Sequence, residues 1–485
     1  MTHTHESLFI GGRWQQPATT CRIEVISAST EEPLGGVPEA SAADVDAAVA
    51  AARHAFIDPT GWASWSADRR AAALERLAAA VEKRGEQFAQ LVSSQNGMPI
   101  SIGRATETVW GPMLLRYYAG LARQTPAEET RVALLGGNTV VRREPFGVVA
   151  VIVPWNFPQA LTFFKLAPAL AAGCTVVVKP APETVLDAYL LAEAVIEADL
   201  PPGVVNIVPG GAETGTALVR HPDIDKVAFT GSTATGRTIA EECARLLRPV
   251  TLELGGKSAA IVLDDADLPA LLEEFFAATL LNNGQTCYLG TRILAPRNRY
   301  RTVVDTLTGF AAALTVGDPL DETTQIGPLV SRRQRDRVEG YIAKGRAEGA
   351  RLTTGGGRPA DLDRGWYVEP TIFADVDNSA TIAREEIFGP VLSIIGYDDL
   401  DQAVAIANDS DYGLGGTVWT ADPERGMEVA RRIETGSIGI NCYTLDPCSP
   451  FGGVKASGMG RELGPEGLAA FQQLKSIYLP QENTP

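Results

Sequence analysis

From Val148 onward the chain repeats one pattern: a short run of apolar, mostly β-branched residues, a turn, then a helical stretch. The runs are VVAVIV at 148 to 153, TVVVK at 175 to 179, VVNIV at 204 to 208 and KVAF at 226 to 229. Between them lie a helical pattern ending near Gly173, a second from 185 to 198, and a short third. Strands apolar on both faces must be covered on both faces, so the alternation predicts a doubly wound α/β unit around a parallel sheet. Such sheets bind ligands at the carboxyl ends of their strands. Trp155 and Asn156, Lys179, Gly210 and Gly211, and the segment FTGSTATGR at 229 to 237 all fall there.

A second alternating series follows residue 287, in TRILAP, ARLTTG, VLSIIGY and SIGINCY, enough for another α/β domain with its boundary near Gly255. Upstream, Ser41 and Asp44 form a capping-box pattern before Val45 to Phe56. Ser66 opens a run with Leu74, Leu77, Val81, Phe88 and Leu91 at helical spacing, up to Asn96 and Gly97. Two segments with strand character stand apart, residues 130–145 and the tail LKSIYLP at 474 to 480, which suggests a sheet extension used between subunits.

The net charge of −17 argues against nucleic acid or an anionic membrane as the main partner. The longest apolar run, Leu166 to Val178, is too short to cross a bilayer and is broken by Pro168 and Gly173. MTHTHES lacks the basic-then-apolar pattern of a secretory signal, and six scattered cysteines do not resemble a disulfide framework. A reducing cytoplasm is therefore expected. No close Cys or His pairs suggest a metal site.

Cys287 in NNGQTC is the candidate nucleophile. A cysteine nucleophile usually works with histidine, but the chain has only four. His3 and His5 are expected to fray, His54 sits in an alanine-rich run, and His221 precedes Pro222. A carboxylate must then serve, and Glu253 in LELGGK is the candidate. A lone cysteine is more often a small core residue, which suits Cys174, Cys243 and Cys442. Gly284, Asn282, Asn283 and Gln285 are by contrast poor core neighbours for Cys287. To become a thiolate, Cys287 needs donors or a positive helix end nearby.

Each candidate has a plainer local alternative. Glu253 pairs with Lys257 or an arginine, or burial raises its pKa so that it takes a proton from water. The Gly231 to Gly236 spacing in FTGSTATGR marks a helix N-terminus that meets phosphate, or an ordinary turn. Lys179 reaches a ribose hydroxyl or snorkels to solvent. Asn156 in PWNFP donates to an oxyanion, where one donor is worth about 3 kcal/mol of barrier, or makes an Asx turn. Glu386 and Phe388 in EEIFGPV hold a ligand, or are a surface acid and a core aromatic.

Together PWNFP, VVVKPAPET, FTGSTATGR, LELGGKS, GQTC, EEIFGPV and SPFGGVKASGMGRELG resemble the aldehyde dehydrogenase superfamily, in the family's order and from about residue 8 to the C-terminus. The resemblance implies a Rossmann-like cofactor domain (1–129 and 146–254), a catalytic domain (255–455) and small oligomerisation strands (130–145 and 472–485). It implies Cys287 as nucleophile, Glu253 as general base, and Asn156 with the Cys287 N–H as oxyanion donors. Val153, Pro154, Trp155, Lys179, Gly211, Gly215, Gly231, Ser232, Gly236, Leu254, Glu386 and Phe388 match positions that hold a dinucleotide. The implied reaction is hydrolytic, NAD(P)-dependent oxidation of an aldehyde in a homodimer or homotetramer, with no metal.

One departure bears on the cofactor. Many NAD-preferring relatives carry glutamate where this chain has Pro182; Glu183 follows it, and Pro182 supplies no positive charge for a phosphate, which favours NAD while leaving NADP open. The matching entrance positions are Phe157, Ala160, Leu161, Phe164, Tyr288, Leu445 and Phe451, which suit a hydrophobic aldehyde. Aromatic rings can also surround a quaternary ammonium, which keeps a betaine-type aldehyde open. CoA-acylating relatives generally lack the hydrolytic glutamate, so Glu253 argues against that chemistry. An acyl-phosphate reductase is less consistent with GQTC and EEIFGPV. A catalytically silent structural protein would be expected to have lost Cys287, Glu253 or Asn156, and all three are present.

Overall fold

The four apolar runs and the segment Val250–Glu253 form five parallel strands: β1 (Val148–Ile152), β2 (Thr175–Lys179), β3 (Val205–Ile207), β4 (Lys226–Thr230) and β5 (Val250–Glu253). They come from a computed structural model that describes residues 3–480. The spatial order is β5-β4-β1-β2-β3, so the winding reverses beside β1. Antiparallel strands extend both edges, Gly458–Met459 next to β5 and the pair Leu8–Ile10 and Arg13–Gln15 beyond β3. Alternate β1 residues enter two separate cores: Val149 and Val151 on one face, Val148, Ala150 and Ile152 on the other. That period of two explains why the run reads as continuously apolar.

Three helices set the ligand-binding edge: α1 (Pro158–Ala172), α2 (Ala212–Arg220) and α3 (Thr233–Arg245). All of α1 is buried; it starts on Pro158 and stops at Gly173, whose φ of +99° suits glycine. A helix apolar on every side belongs in an interior. Its one charged residue, Lys165, is paired there with Glu462 at 2.7 Å.

The second sheet uses β6 (Ala259–Val262), β7 (Arg292–Pro296), β8 (Thr371–Ala374), β9 (Val391–Tyr397) and β10 (Gly416–Trp419). Its order is β8-β9-β7-β6-β10, with antiparallel Arg351–Thr354 outside β8 and parallel Gly439–Ile440 outside β10. Helix α4 (Arg332–Ala347) covers one face through Val338, Tyr341 and Ile342. Residues 254–258 link the two sheets. The detached segments pair with each other: Gln472–Leu479 runs antiparallel to Asn138–Pro145, which pairs with Glu128–Val132. Residues 481–485 of the expected tail lie outside the described residues.

Several expectations need correction. The N-terminus is pinned rather than frayed: His3–Thr4 pairs with Gly35–Gly36, and the His5 ring stacks on Tyr189 at 4.0 Å. The run opened by Ser66 is two helices, Ala67–Glu82 and Gly85–Asn96, broken at Lys83 and Arg84. SIGINCY yields only Gly439–Ile440, and Cys442 is exposed, not a core residue, because the chain leaves the sheet there. The capping box at Ser41 and Asp44 is present. No described helix is long and apolar enough to cross a membrane.

Candidate active site

The turn that carries Cys287 is held by its own amides. Asn282, Asn283 and Gly284 are consecutive left-handed residues, with φ of 53°, 62° and 74°. Such backbone persists only where its surroundings over-determine it. Asn283 Nδ2 donates to the carbonyls of Gly97 (2.8 Å) and Pro328 (2.9 Å), and its Oδ1 accepts from Gly327 N–H. Asn282 Nδ2 donates to the Asn156 carbonyl at 2.9 Å, and Gln285 Oε1 accepts from Val330 N–H at 3.0 Å. The three amides are therefore fully buried, contrary to the expectation that they are poor core neighbours. Each buried polar side chain pairs with backbone that would otherwise be unsatisfied.

Asn156, just beyond the end of β1, donates one Nδ2 hydrogen to the Gln285 carbonyl at 3.0 Å. A primary amide has two such hydrogens, so one remains for a ligand. Two cavities meet here. One, of about 500 Å³, is lined by Trp155, Gly231, Leu254, Arg337, Glu386 and Phe388 among others. The other, of about 200 Å³, is lined by Phe157, Ala160, Leu161, Phe164, Tyr288, Leu445 and Phe451, with Trp110 and Tyr443. Asn156 and Cys287 are the only residues the two linings share.

The first cavity runs on into a groove of about 800 Å³ along the carboxyl ends of β1, β2 and β4, lined by Val153, Pro154, Lys179, Gly211, Gly215, Gly231 and Ser232. Ser232 caps α3, and the helix's first turn faces this groove. Lys179 does not snorkel: it is buried, donates to the carbonyls of Pro180 (3.0 Å) and Gly210 (2.6 Å), and burial lowers its pKa to about 8. Gly236 lines neither cavity; a Cβ there would lie 2.4 Å from Leu254 Cδ2, so its role is close packing of α3. Glu386 is no surface acid: its carboxylate accepts from Gly256 N–H at 2.9 Å. Phe388 has a φ of +62° and stands edge-on to Trp155, with ring centroids 5.3 Å apart.

Electrostatics depart from expectation at the sulfur. Burial, then the carboxylates of Glu386 and Glu253, hold the Cys287 thiol well above its ordinary pKa, against weak help from its own and the Tyr288 amide. The resting sulfur is a thiol, not the thiolate a donor-rich setting would create. Burial and neighbouring Glu462 likewise raise Glu253 well above the carboxylate range, opposed by Lys165 and Arg461. The Glu253 carboxyl lies against Gly452, makes no ion pair, and lines neither cavity. The Gly453 amide offsets its shift slightly without forming a hydrogen bond of normal geometry. Lys257, its expected partner, is itself buried without a hydrogen bond, and burial lowers its pKa to about 7.

The family model described as the aldehyde dehydrogenase family matches residues 14–477. This chain belongs to that family. An aldehyde dehydrogenase relative named geranial dehydrogenase, from Castellaniella defragrans, is 58% identical over 479 residues, covering 99% of this chain and 100% of its own. A chloroplastic betaine aldehyde dehydrogenase from Amaranthus hypochondriacus is 41% identical, covering 97% and 95%. Among solved structures, Mycobacterium tuberculosis aldehyde dehydrogenase complexed with NAD+ is 52% identical with a TM-score of 0.97 over 100% of both chains. Aldehyde dehydrogenase C from Pseudomonas syringae, a cysteine-to-alanine mutant with NAD+ and octanal, is 42% identical with a TM-score of 0.94, covering 98% and 97%.

Some site residues of this aldehyde dehydrogenase escaped the sequence reading. Trp110, Leu281 and Tyr443 close the smaller cavity, and the Tyr443 ring stacks on Tyr288 at 4.2 Å. Arg333, Gln334 and Arg337 reach the larger one from the first turns of α4. Lys165 and Glu462 form the charged pair beside Glu253. A lysine inside the largely apolar pattern of α1 was the one visible sign, since a buried charge needs a partner.

Proposed function

We propose that this enzyme oxidises a hydrophobic aldehyde to its carboxylic acid with NAD as hydride acceptor. One observation carries the reading: two cavities of different character open on a single thiol and share only that residue and Asn156. The NAD+ and octanal in the Pseudomonas syringae structure, and the name of the geranial dehydrogenase relative, agree with it. No charged side chain lines the smaller cavity, which suits an apolar substrate.

The groove fits a dinucleotide. The N-terminal turn of α3 offers backbone N–H groups to a pyrophosphate. Val219 and Ile239 wall an apolar slot between α2 and α3 for a purine. Glu386 and Phe388 would hold the nicotinamide ribose. NAD, when bound, supplies the hydride acceptor.

The chain's own residues supply the rest. Cys287 Sγ gives its proton to solvent water and the resulting thiolate bonds to the aldehyde carbon, while the carbonyl oxygen takes the electron pair and is held by Asn156 Nδ2–H and the Cys287 N–H. Glu386 is the carboxylate that most raises the thiol pKa, so engaging it with ligand hydroxyls lowers the cost of the thiolate. As the oxyanion re-forms the carbonyl, the carbon loses hydride and a thioester remains on sulfur. Glu253, in its ionised form, then takes a proton from water, hydroxide adds to the thioester, the C–S bond breaks, and carboxylic acid and thiolate separate. A base acting on water explains why no histidine is needed.

Cys287→Ala abolishes NAD reduction. Glu253→Gln gives one NADH per site in a rapid burst and then stalls as an acyl-enzyme visible by mass spectrometry. Undiminished steady-state turnover in Glu253→Gln would refute the water-activating role. We assign residues 1–129 and 146–254 to the cofactor domain, 255–455 to the catalytic domain, and 130–145 with 472–485 to oligomerisation in a cytoplasmic homodimer or homotetramer. The exposed apolar side chains of Leu474 and Tyr478 support that assembly role.

A further inference from the structure

We propose that the ion pair between Glu183 and Arg333 selects the dinucleotide in this enzyme, admitting NAD and disfavouring its 2′-phosphorylated form; the proposal rests on the dinucleotide reading above. Glu183 lies on the turn Pro182–Thr184 that follows β2, whereas Arg333 lies in the first turn of α4 on the other sheet. Their charged atoms are 2.9 Å apart across the groove. Both residues line the 800 Å³ groove and Arg333 also lines the 500 Å³ cavity, so the pair stands where the two join.

An adenosine ribose bound in this groove would lie beside the pair. Val219 and Ile239 line the same groove as Lys179, Pro182 and Glu183 at the carboxyl end of β2, so a purine held by the first two would have its ribose within reach of the other three. Lys179 Nζ donates to two carbonyls and, as an ammonium, cannot accept, and Pro182 has no polar side-chain atom. Arg220, another guanidinium on the groove wall, is committed to Glu242. Glu183 is then the group left to accept ribose hydroxyls, and a carboxylate there repels an added phosphate. Arg333 does the opposite, because a guanidinium is a bidentate phosphate partner.

In the free enzyme each charge cancels the other. The Arg333 side chain is 83% exposed and that of Glu183 24%, so the pair is worth little and opens when ligand groups compete. With NAD, Glu183 turns to the hydroxyls. Without Glu183, the same site faces a guanidinium that lacks a counter-ion. The preference therefore belongs to the pair.

The test is kcat/KM for NAD and NADP in the wild type, Glu183→Gln, Arg333→Gln and the double variant, with NADH and NADPH binding followed by fluorescence. Glu183→Gln raises the NADP to NAD ratio by about tenfold or more, mainly through KM, and adding Arg333→Gln removes most of that gain. A ratio that moves by less than about twofold in Glu183→Gln, or a gain that survives whole in the double variant, overturns the proposal. A wild type that binds neither NADH nor NADPH defeats the dinucleotide reading, and this proposal with it.

Discussion

Glu107 shows how a single residue can matter far from the chemistry. Helix α1 has no side-chain cap of its own at Phe157, and a buried carboxylate from elsewhere does the work: Glu107 Oε2 accepts from Gln159 N–H at 2.8 Å. Burial pushes Glu107 up to about 8 from an ordinary 4.5, and the nearby Asp187, also buried, up to about 6. A carboxyl raised in the folded state binds a proton more tightly there than in the unfolded chain. Its contribution is therefore complete below about pH 4.5 and is lost as pH climbs through about 8. Glu107→Gln keeps the acceptor and cannot ionise. Relative to wild type it should gain stability steadily from pH 5 to pH 8, by about 1 kcal/mol or more. Urea midpoints for both proteins across that range check this, and parallel pH curves would sink it. Nothing local marked Glu107, because its surroundings come from α1 and Asp187, both distant in the chain.

At the scale of elements, the turn before Cys287 decides whether the thiol is presented at all. A Cβ on Gly284 would lie 2.2 Å from the Gly389 carbonyl oxygen, and its φ of +74° already disfavours any other residue. Gly284→Ala should cost more than about 2 kcal/mol and lower kcat at least about tenfold by moving Cys287 against Asn156. A variant with parental urea midpoint and kcat would show that the turn has slack. Regular elements were readable because their signals are local. The capping box at Ser41, the β-branched runs and the glycine stop at Gly173 each fall within a few residues. The break at Lys83 and Arg84 was not: the apolar spacing continues across it, and only the packing of each half reveals two helices.

For the whole molecule, the sheet formed by Gln472–Leu479, Asn138–Pro145 and Glu128–Val132 ends in an open edge with exposed apolar side chains, Leu474 at 65% and Tyr478 at 81%. Open edges of this kind invite another chain. Replacing Leu474 and Tyr478 together with lysine should shift the protein toward monomer in light scattering; an unchanged mass would remove this strand from the interface. The sequence alone marked the doubly wound sheet, the candidates Cys287, Glu253 and Asn156, and most of the residues that line the groove, since strand periodicity and motif chemistry are written in short windows. Tertiary structure alone decided that burial lifts the Cys287 thiol still further above its ordinary pKa, that Lys165 and Glu462 pair beside Glu253, and that Arg333 meets Glu183. Those are sums over charges and contacts from segments far apart in the chain, brought by folding into a medium where water no longer screens them, and no local stretch contains such a sum.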